Sequence, residues 1–199
     1  MAMITNLKVY DLYEAVRASG YPMKARLSLG EQFRYVDDHD WKRATALAQR
    51  DSSEGHDNFL SGIIVSFDLT CSIKMWTEFE RYHFAQIVSS QSTMHRLSKM
   101  ELDVSCSPYT DPVITKRLKE LQDKYNEEPT EHNKLCLLYS CPVGMQLTAR
   151  VTTNYRQLKT ILKQRHNHLL PEWKEFCREI MEKCYLANVW LDPKTKNLK

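Results

Sequence analysis

Apolar positions recur with two different periods along this chain, and together they predict helices packed on a sheet. Phe59, Ile63, Val65, Phe67 and Leu69 fall on alternating positions between Phe59 and Leu69, with one polar interruption at Ser61. Met145, Leu147, Ala149, Val151 and Thr153 alternate in the same way with Gln146, Thr148, Arg150, Thr152 and Asn154. Such alternation buries one face of a strand and leaves the other polar. Helical spacing appears in Leu12, Ala15 and Val16 within Tyr10 to Ser19, where Asp11 is a candidate cap and Gly20 and Pro22 a stop. It returns in Trp41 to Gln49, in Ile73, Trp76 and Phe79 within a helix read from Ser72 to about Ala85, and in Leu158, Ile161 and Leu162 within Arg156 to Arg165. Two further helices open on proline: one after Asp111 that runs to Tyr125, and a last one from Pro171 whose Trp173, Phe176, Cys177, Ile180, Met181 and Cys184 form a core stripe. Lys116, Glu120 and Lys124 give the first of these a solvated face with weak ion pairs. Asn126 to Asn133 reads as a loop, Met100 to Tyr109 has no period, and Asp192 to Lys199 reads as a frayed charged tail.

The stretch from Trp76 to Arg96 breaks the usual division between core and surface. Aromatic residues thread through Glu78, Arg81, His83, serines and glutamines before His95 and Arg96. An apolar body with converging polar tips suits a buried ligand. Glu78 and Arg81 share a face of the predicted helix, and Ser89 to Thr93 favours a turn.

Composition narrows the classes. At 199 residues, 27% charged and 42% apolar, the chain reads as one domain, 1–199, and a net charge of +3 gives no general affinity for nucleic acid. No apolar run is long enough for a membrane span, and the start lacks a secretion-type segment, so the expected location is cytoplasmic. The six cysteines lack paired two-residue spacing and read as buried thiols. His166 and His168 lie two apart with no carboxylate set, so no metal site is expected. None of the five glycines forms a phosphate loop. Cys141-Pro142 superficially resembles a transferase nucleophile, without a local base.

Taken in order, the polar segments resemble the flavin-dependent thymidylate synthases. Ala15-Val16-Arg17-Ala18-Ser19 is similar to that family's Ala-Val-Arg-Ala segment, and Gly55-His56-Asp57-Asn58 to its Gly-His segment. Arg81-Tyr82-His83 stands where the family has Arg-His-Arg, and Ser92 fits its closing serine after one inserted residue. Asn154-Tyr155-Arg156 through Arg165 resembles the Asn-x-Arg helix, and His168 and Glu172 match its downstream His and Glu after one deletion.

The resemblance implies an α+β homotetramer, an antiparallel sheet with helices packed on it, holding FAD across subunit boundaries. It implies flavin contacts for His56, Asn58, Arg81, His83, Asn154, Arg156 and His168, substrate contacts for Ser92 and Arg165, and a catalytic role for Arg165. The implied reaction passes a methyl or hydroxymethyl group from methylenetetrahydrofolate to carbon 5 of dUMP, with NADPH as reductant. Three segments depart from the family. Tyr82 and His83 replace its His and Arg, its Asn-Glu pair falls on Val88 or Ser89, and a later substrate-binding arginine falls on Leu138, leaving Arg96 and Arg150 as replacements. Such departures resemble a divergent branch of the kind found in bacteriophage genomes. They keep a second reading open, a nucleotide-binding protein that retains the fold without the catalysis, and a third, a transferase using Cys141.

Overall fold

The computed structural model describes residues 3–192. Four strands form one antiparallel sheet in the order β1-β2-β4-β3: β1 is Ile4–Tyr10, β2 Ile64–Ser72, β3 Gln86–Ser90 and β4 Gln146–Asn154. The helices are α1 (Leu12–Ala18), α2 (Leu29–Phe33), α3 (Asp38–Ala48), α4 (Ile73–Phe79), α5 (Thr93–Arg96) and α6 (Leu102–Ser105), then α7 (Pro112–Glu127), α8 (Glu131–Tyr139), α9 (Tyr155–Arg165), α10 (Pro171–Lys183) and α11 (Ala187–Trp190).

The alternation in β2 and β4 does what it predicts. Val65, Phe67, Leu69 and Cys71, with Ala149 and Val151, are buried in one cluster with Phe79 of α4, Leu158 and Ile161 of α9, and Trp173, Phe176 and Ile180 of α10. Phe79 stacks on Trp173 at 6.0 Å between ring centroids, and Phe67 meets Phe176 edge-on at 6.0 Å. The opposite face is laddered by polar pairs across β2 and β4: Ser66 to Thr152 and Thr70 to Thr148, each 2.8 Å between hydroxyls, and Asp68 to Arg150 at 3.1 Å. A second cluster, Leu97, Leu102, Leu118, Leu137 and Met145, lies under α7 and α8.

Several local expectations are corrected. The helix begun at Ser72 stops at Phe79, because Tyr82 turns inward to pack against Phe79 and Trp173, and the Tyr82 and Ala85 amides close successive tight turns. Glu78 and Arg81 therefore share no helix face. Ser89 and Ser90 lie in β3, not in a turn, since β4 offers them ladder bonds opposite Arg150 and Ala149. Phe59 belongs to a 3-10 turn, Asn58–Gly62, and the strand starts only at Ile64. The link between α7 and α8 is three residues, 128–130, and Thr130 caps a helix that takes in residues 131–133, read above as loop. Among the described residues Lys116 to Lys124 gives no bonded ladder; α7 pairs instead through Arg117 to Glu120 within the helix and Lys119 to Asp103 of α6. Asp11 precedes α1 in a left-handed conformation and makes no side-chain cap. Cys71, Cys177 and Cys184 are buried as expected, whereas Cys106, Cys136 and Cys141 are partly exposed. The expected tail lies, from residue 193 onward, outside the described residues.

The sheet's first strand is tied to the last long helix by a buried carboxylate. Glu179 of α10 accepts from the backbone N–H groups of Met3 (3.2 Å) and Ile4, and Lys183 pairs with it at 3.1 Å. Glu179→Ala orphans two backbone donors at once. It is expected to lower stability by about 2–4 kcal/mol in chemical denaturation, with the same transition seen by fluorescence and circular dichroism.

Candidate functional site

Antiparallel pairing brings distant segments to one end of the sheet. Ile64, at the start of β2, pairs with Asn154, at the end of β4, and Gln86, at the start of β3, pairs with Thr152. The loop carrying His56 and Asn58, the turn carrying Arg81 and His83, and the β4–α9 junction carrying Asn154 and Arg156 therefore lie at this same end. Asn154 closes the strand and caps α9, its side-chain oxygen accepting from the Gln157 N–H at 2.8 Å.

Asp57, fully buried between exposed His56 and Asn58, anchors this region. Lys159 donates to its Oδ2 at 2.7 Å and to the carbonyls of Ala48 and Arg50, Ser52 donates to the same oxygen at 2.6 Å, and Arg156 Nε stands 3.6 Å from Oδ1. Burial pushes the Asp57 carboxyl upward, but the bonds from Lys159 and Ser52 and the charges of Lys159 and Arg156 outweigh it and hold it below the usual carboxylate range. Arg156 also donates to the Ser52 carbonyl at 3.3 Å, so one carboxylate fixes the loop, the helix and the guanidinium together.

A second charged cluster lies at the far end of α9, nine residues and roughly 14 Å along the helix from Arg156. Arg165 donates from Nε to the Tyr82 hydroxyl at 2.8 Å and from Nη1 to Glu78 at 3.1 Å, and its guanidinium lies 4.8 Å from the Trp173 ring centroid. The Trp173 indole N–H donates to Glu78 at 3.0 Å, and Lys74 pairs with its other oxygen at 3.0 Å. His168 Nε2 faces Glu78 at 3.4 Å, and since the Leu170 N–H donates to Nδ1, the ring proton belongs on Nε2. Burial pushes the Glu78 carboxyl up, and the Lys74 and Trp173 hydrogen bonds with the nearby charge of Lys74 bring it below the usual range.

The structure thus divides the predicted site residues among three places. His56, Asn58, Arg81, His83, Asn154 and Arg156 share the first end of the sheet; Arg165 and His168 share the Glu78 cluster. Ser92 follows β3 at the opposite end, six residues and roughly 20 Å from Gln86. Tyr82 joins the first two places, because its buried ring reaches Arg165 while its neighbours Arg81 and His83 stay exposed. Arg150, a candidate replacement cation, is committed to Asp68 and the Asn6 carbonyl. Glu172 holds Ser72 through its backbone N–H (2.7 Å) and hydroxyl (2.6 Å) on the wall of a cleft of about 1010 Å³ at that opposite end. Asp57 and Lys159 were not singled out from the sequence, since a buried ion pair leaves no periodic trace, although the Gly55-to-Asn58 segment pointed to the loop. Burial pushes the Cys141 thiol up to about 11, which leaves almost no thiolate near neutrality. Asp37, His39 and Asp40 also approach one another, but Arg34 and Arg43 bond Asp40 at 2.5 and 2.7 Å and neutralise it.

The donor set at the first end suits a flavin dinucleotide. It offers guanidinium, imidazole and amide groups suited to a pyrophosphate and a ring edge, and the carboxylate among them, Asp57, is already matched by cations.

No family model and no curated sequence matches the chain. Solved structures do, and they define a fold class: that of the flavin-dependent thymidylate synthases and related nucleotide methylases. Flavin-dependent thymidylate synthase ThyX from Helicobacter pylori, complexed with FAD and dUMP, superposes with a TM-score of 0.73 at 14% identity, over 95% of this chain and 98% of that one. A second structure of that enzyme, with FAD and dUMP, gives 0.67 at 17% identity over 90% and 91%. The UMP/dUMP methylase PolB from Streptomyces cacaoi, bound with 5-Br dUMP, gives 0.63 at 11% identity over 94% and 91%. Among the described residues no helix is long and apolar enough to cross a membrane.

Glu78→Gln removes the charge shared by Arg165, Lys74 and the His168 ring, and is expected to cost about 2–4 kcal/mol near neutrality. The folded-state value of Glu78 lies below its unfolded value, so its stabilisation is complete above the ordinary glutamate range and is lost as pH falls through the folded-state value. Denaturation midpoints followed below about pH 4.5 should therefore converge for wild type and Glu78→Gln.

Proposed function

We propose that this protein is a divergent flavin-dependent thymidylate synthase-like enzyme, 1–199 forming one domain. In this reading it transfers a methyl or hydroxymethyl group from methylenetetrahydrofolate to carbon 5 of dUMP or a related pyrimidine deoxynucleotide. NADPH is the reductant, and the enzyme works in the cytoplasm, the host's if it is phage-encoded. The observation that carries the reading is the gathering of His56, Asn58, Arg81, His83, Asn154 and Arg156 at one sheet end, in a fold whose neighbours bind FAD and dUMP.

In this reading Arg156, fixed by Asp57, and Arg81 bind the flavin pyrophosphate, while His56, Asn58, His83 and Asn154 contact the remainder and His168 orients the site from the Glu78 side. The flavin supplies hydride when bound. The protein supplies orientation and charge: Arg165, held by Glu78 and Tyr82 through Nη1 and Nε, offers Nη2 to a pyrimidine carbonyl and stabilises negative charge developing there. Ser92 stands at the opposite end of the sheet from Arg156, and in this reading a homotetramer with sites built across subunits brings the two ends together.

A second reading, nucleotide binding without turnover, is favoured by one observation. Arg165 already has a carboxylate partner in the free molecule, which lowers its pull on a substrate.

Purified protein is expected to load FAD and to change its flavin absorbance on adding dUMP; failure to take up FAD overturns the proposal. Arg81→Ala, at an exposed position, should weaken flavin binding about tenfold or more. Arg165→Ala should keep the flavin and lose the dUMP response, with turnover down by about a hundredfold or more. Cys141→Ser should leave both unchanged. Flavin loading and dUMP binding without a folate-dependent product by mass spectrometry select the second reading.

A further inference from the structure

A small pocket of about 120 Å³ lies between the segment after Ser92 and helices α7 and α8. Thr93, His95, Ser98, Tyr125 and Lys134 give it hydroxyls, an imidazole and an ammonium, and no aspartate or glutamate lines it. A space of that size holds a tetrahedral oxyanion and is well below the roughly 300 Å³ that a small organic ligand needs.

The charge in this pocket is uncommitted. Lys134 is half-buried, on the inner side of α8 one turn before Leu138, and no side-chain hydrogen bond or ion pair joins it to any described residue. The other half-buried lysine among the described residues behaves differently: Lys159 is bonded to Asp57 and to two carbonyls. A half-buried ammonium carries a desolvation cost that an anion offsets. The walls are also fixed in advance. Gln122 of α7 donates to the carbonyls of Leu97 (2.7 Å) and Met100 (2.9 Å), and Asn126 to that of Ser98 (3.1 Å), which holds the hydroxyl-bearing turn against the helix. Those carbonyls are thereby occupied, and the lining keeps a surplus of donors over fixed negative charge.

We propose that this pocket binds the phosphomonoester group of the nucleotide substrate, with Lys134 as its cation and Thr93, His95 and Ser98 as hydrogen-bond donors. The inference rests on the function proposed above and deepens it, because Thr93 directly follows Ser92 and places the phosphate beside that serine. The nucleoside then lies outside the pocket, toward a site that a second subunit completes. A phosphate with two negative charges fits a point cation flanked by hydroxyls, as Lys supplies charge without imposing a fork geometry.

Calorimetric titration of the FAD-loaded protein with dUMP, deoxyuridine and inorganic phosphate tests the assignment. Lys134→Ala is expected to weaken dUMP binding by about ten- to hundredfold and to leave deoxyuridine binding unchanged. Inorganic phosphate should compete with dUMP in the wild type and not in the variant, and Lys134→Arg should recover most of the affinity. Lys134→Gln, which retains the length of the stem, replaces the alanine variant if the latter does not fold. Unchanged dUMP affinity in these variants, or equal losses for dUMP and deoxyuridine, overturns the assignment. So does flavin-loaded wild type that binds neither dUMP nor phosphate. Protein that fails to load flavin yet binds phosphate in a Lys134-dependent manner breaks the proposed function and leaves the pocket's role intact.

Discussion

The pairing of β2 with β4 is the constraint on which the molecule depends. Nine residue pairs run without interruption from Ile64 opposite Asn154 to Ser72 opposite Gln146. A slip of one residue would turn Val65, Phe67 and Leu69 out of the core and bring Ser66, Asp68 and Thr70 in, so burial on one face fixes the register. Polar pairs on the other face reinforce the same choice, since the hydroxyl contacts and the Asp68–Arg150 ion pair form in this register. Once it is set, the loop before β2 and the helix after β4 have to meet, and His56 and Arg156 become neighbours of one buried aspartate.

The charges that support the site are held by unlike surroundings. Asp57 is buried completely and is met by one lysine, one arginine and a hydroxyl, so its role is to fasten the loop to α9. Glu78 is less enclosed and binds a more varied set, an arginine, a lysine, an indole and an imidazole. Removing one partner from either group leaves charge in poor solvation, which is more damaging than never having introduced the pair. Arg165 is consequently well ordered but not free, and a substrate has to add to its existing bonds rather than replace an absence.

Much of the arrangement was legible because burial leaves a period in the sequence. β2, β4, α9 and α10 each bury one face, and their alternation or helical stripe marked them to within a few residues. β1 and β3 left no such trace. All five residues of β3 are exposed, and β1 is broken by an irregularity between Thr5 and Lys8, where Asn6 adopts a positive φ of 49°. The short helix from Ser72 was overextended because its apolar spacing continues into Tyr82, whose ring is buried from a turn. Among candidate site residues, linear order was enough to draw attention to those at the sheet end, yet it said nothing of partners. That Arg165 leans on Glu78, or that Arg150 belongs to Asp68, depends on residues 87 and 82 positions away.

The strand order also sets a timetable for chain assembly. β4 lies between β2 and β3 but follows both in the sequence, with α7 and α8 made in between. Among the described residues β3 pairs with β4 alone, so residues 86–90 wait through more than fifty positions of chain before that ladder can close on them. The α7–α8 hairpin is a local contact, whereas the sheet requires long-range docking of a strand made after both of its neighbours. A growing chain of this topology therefore leaves the ribosome with an open β2 edge and an unattached ribbon of serines, and only the arrival of its last third turns them into a single sheet.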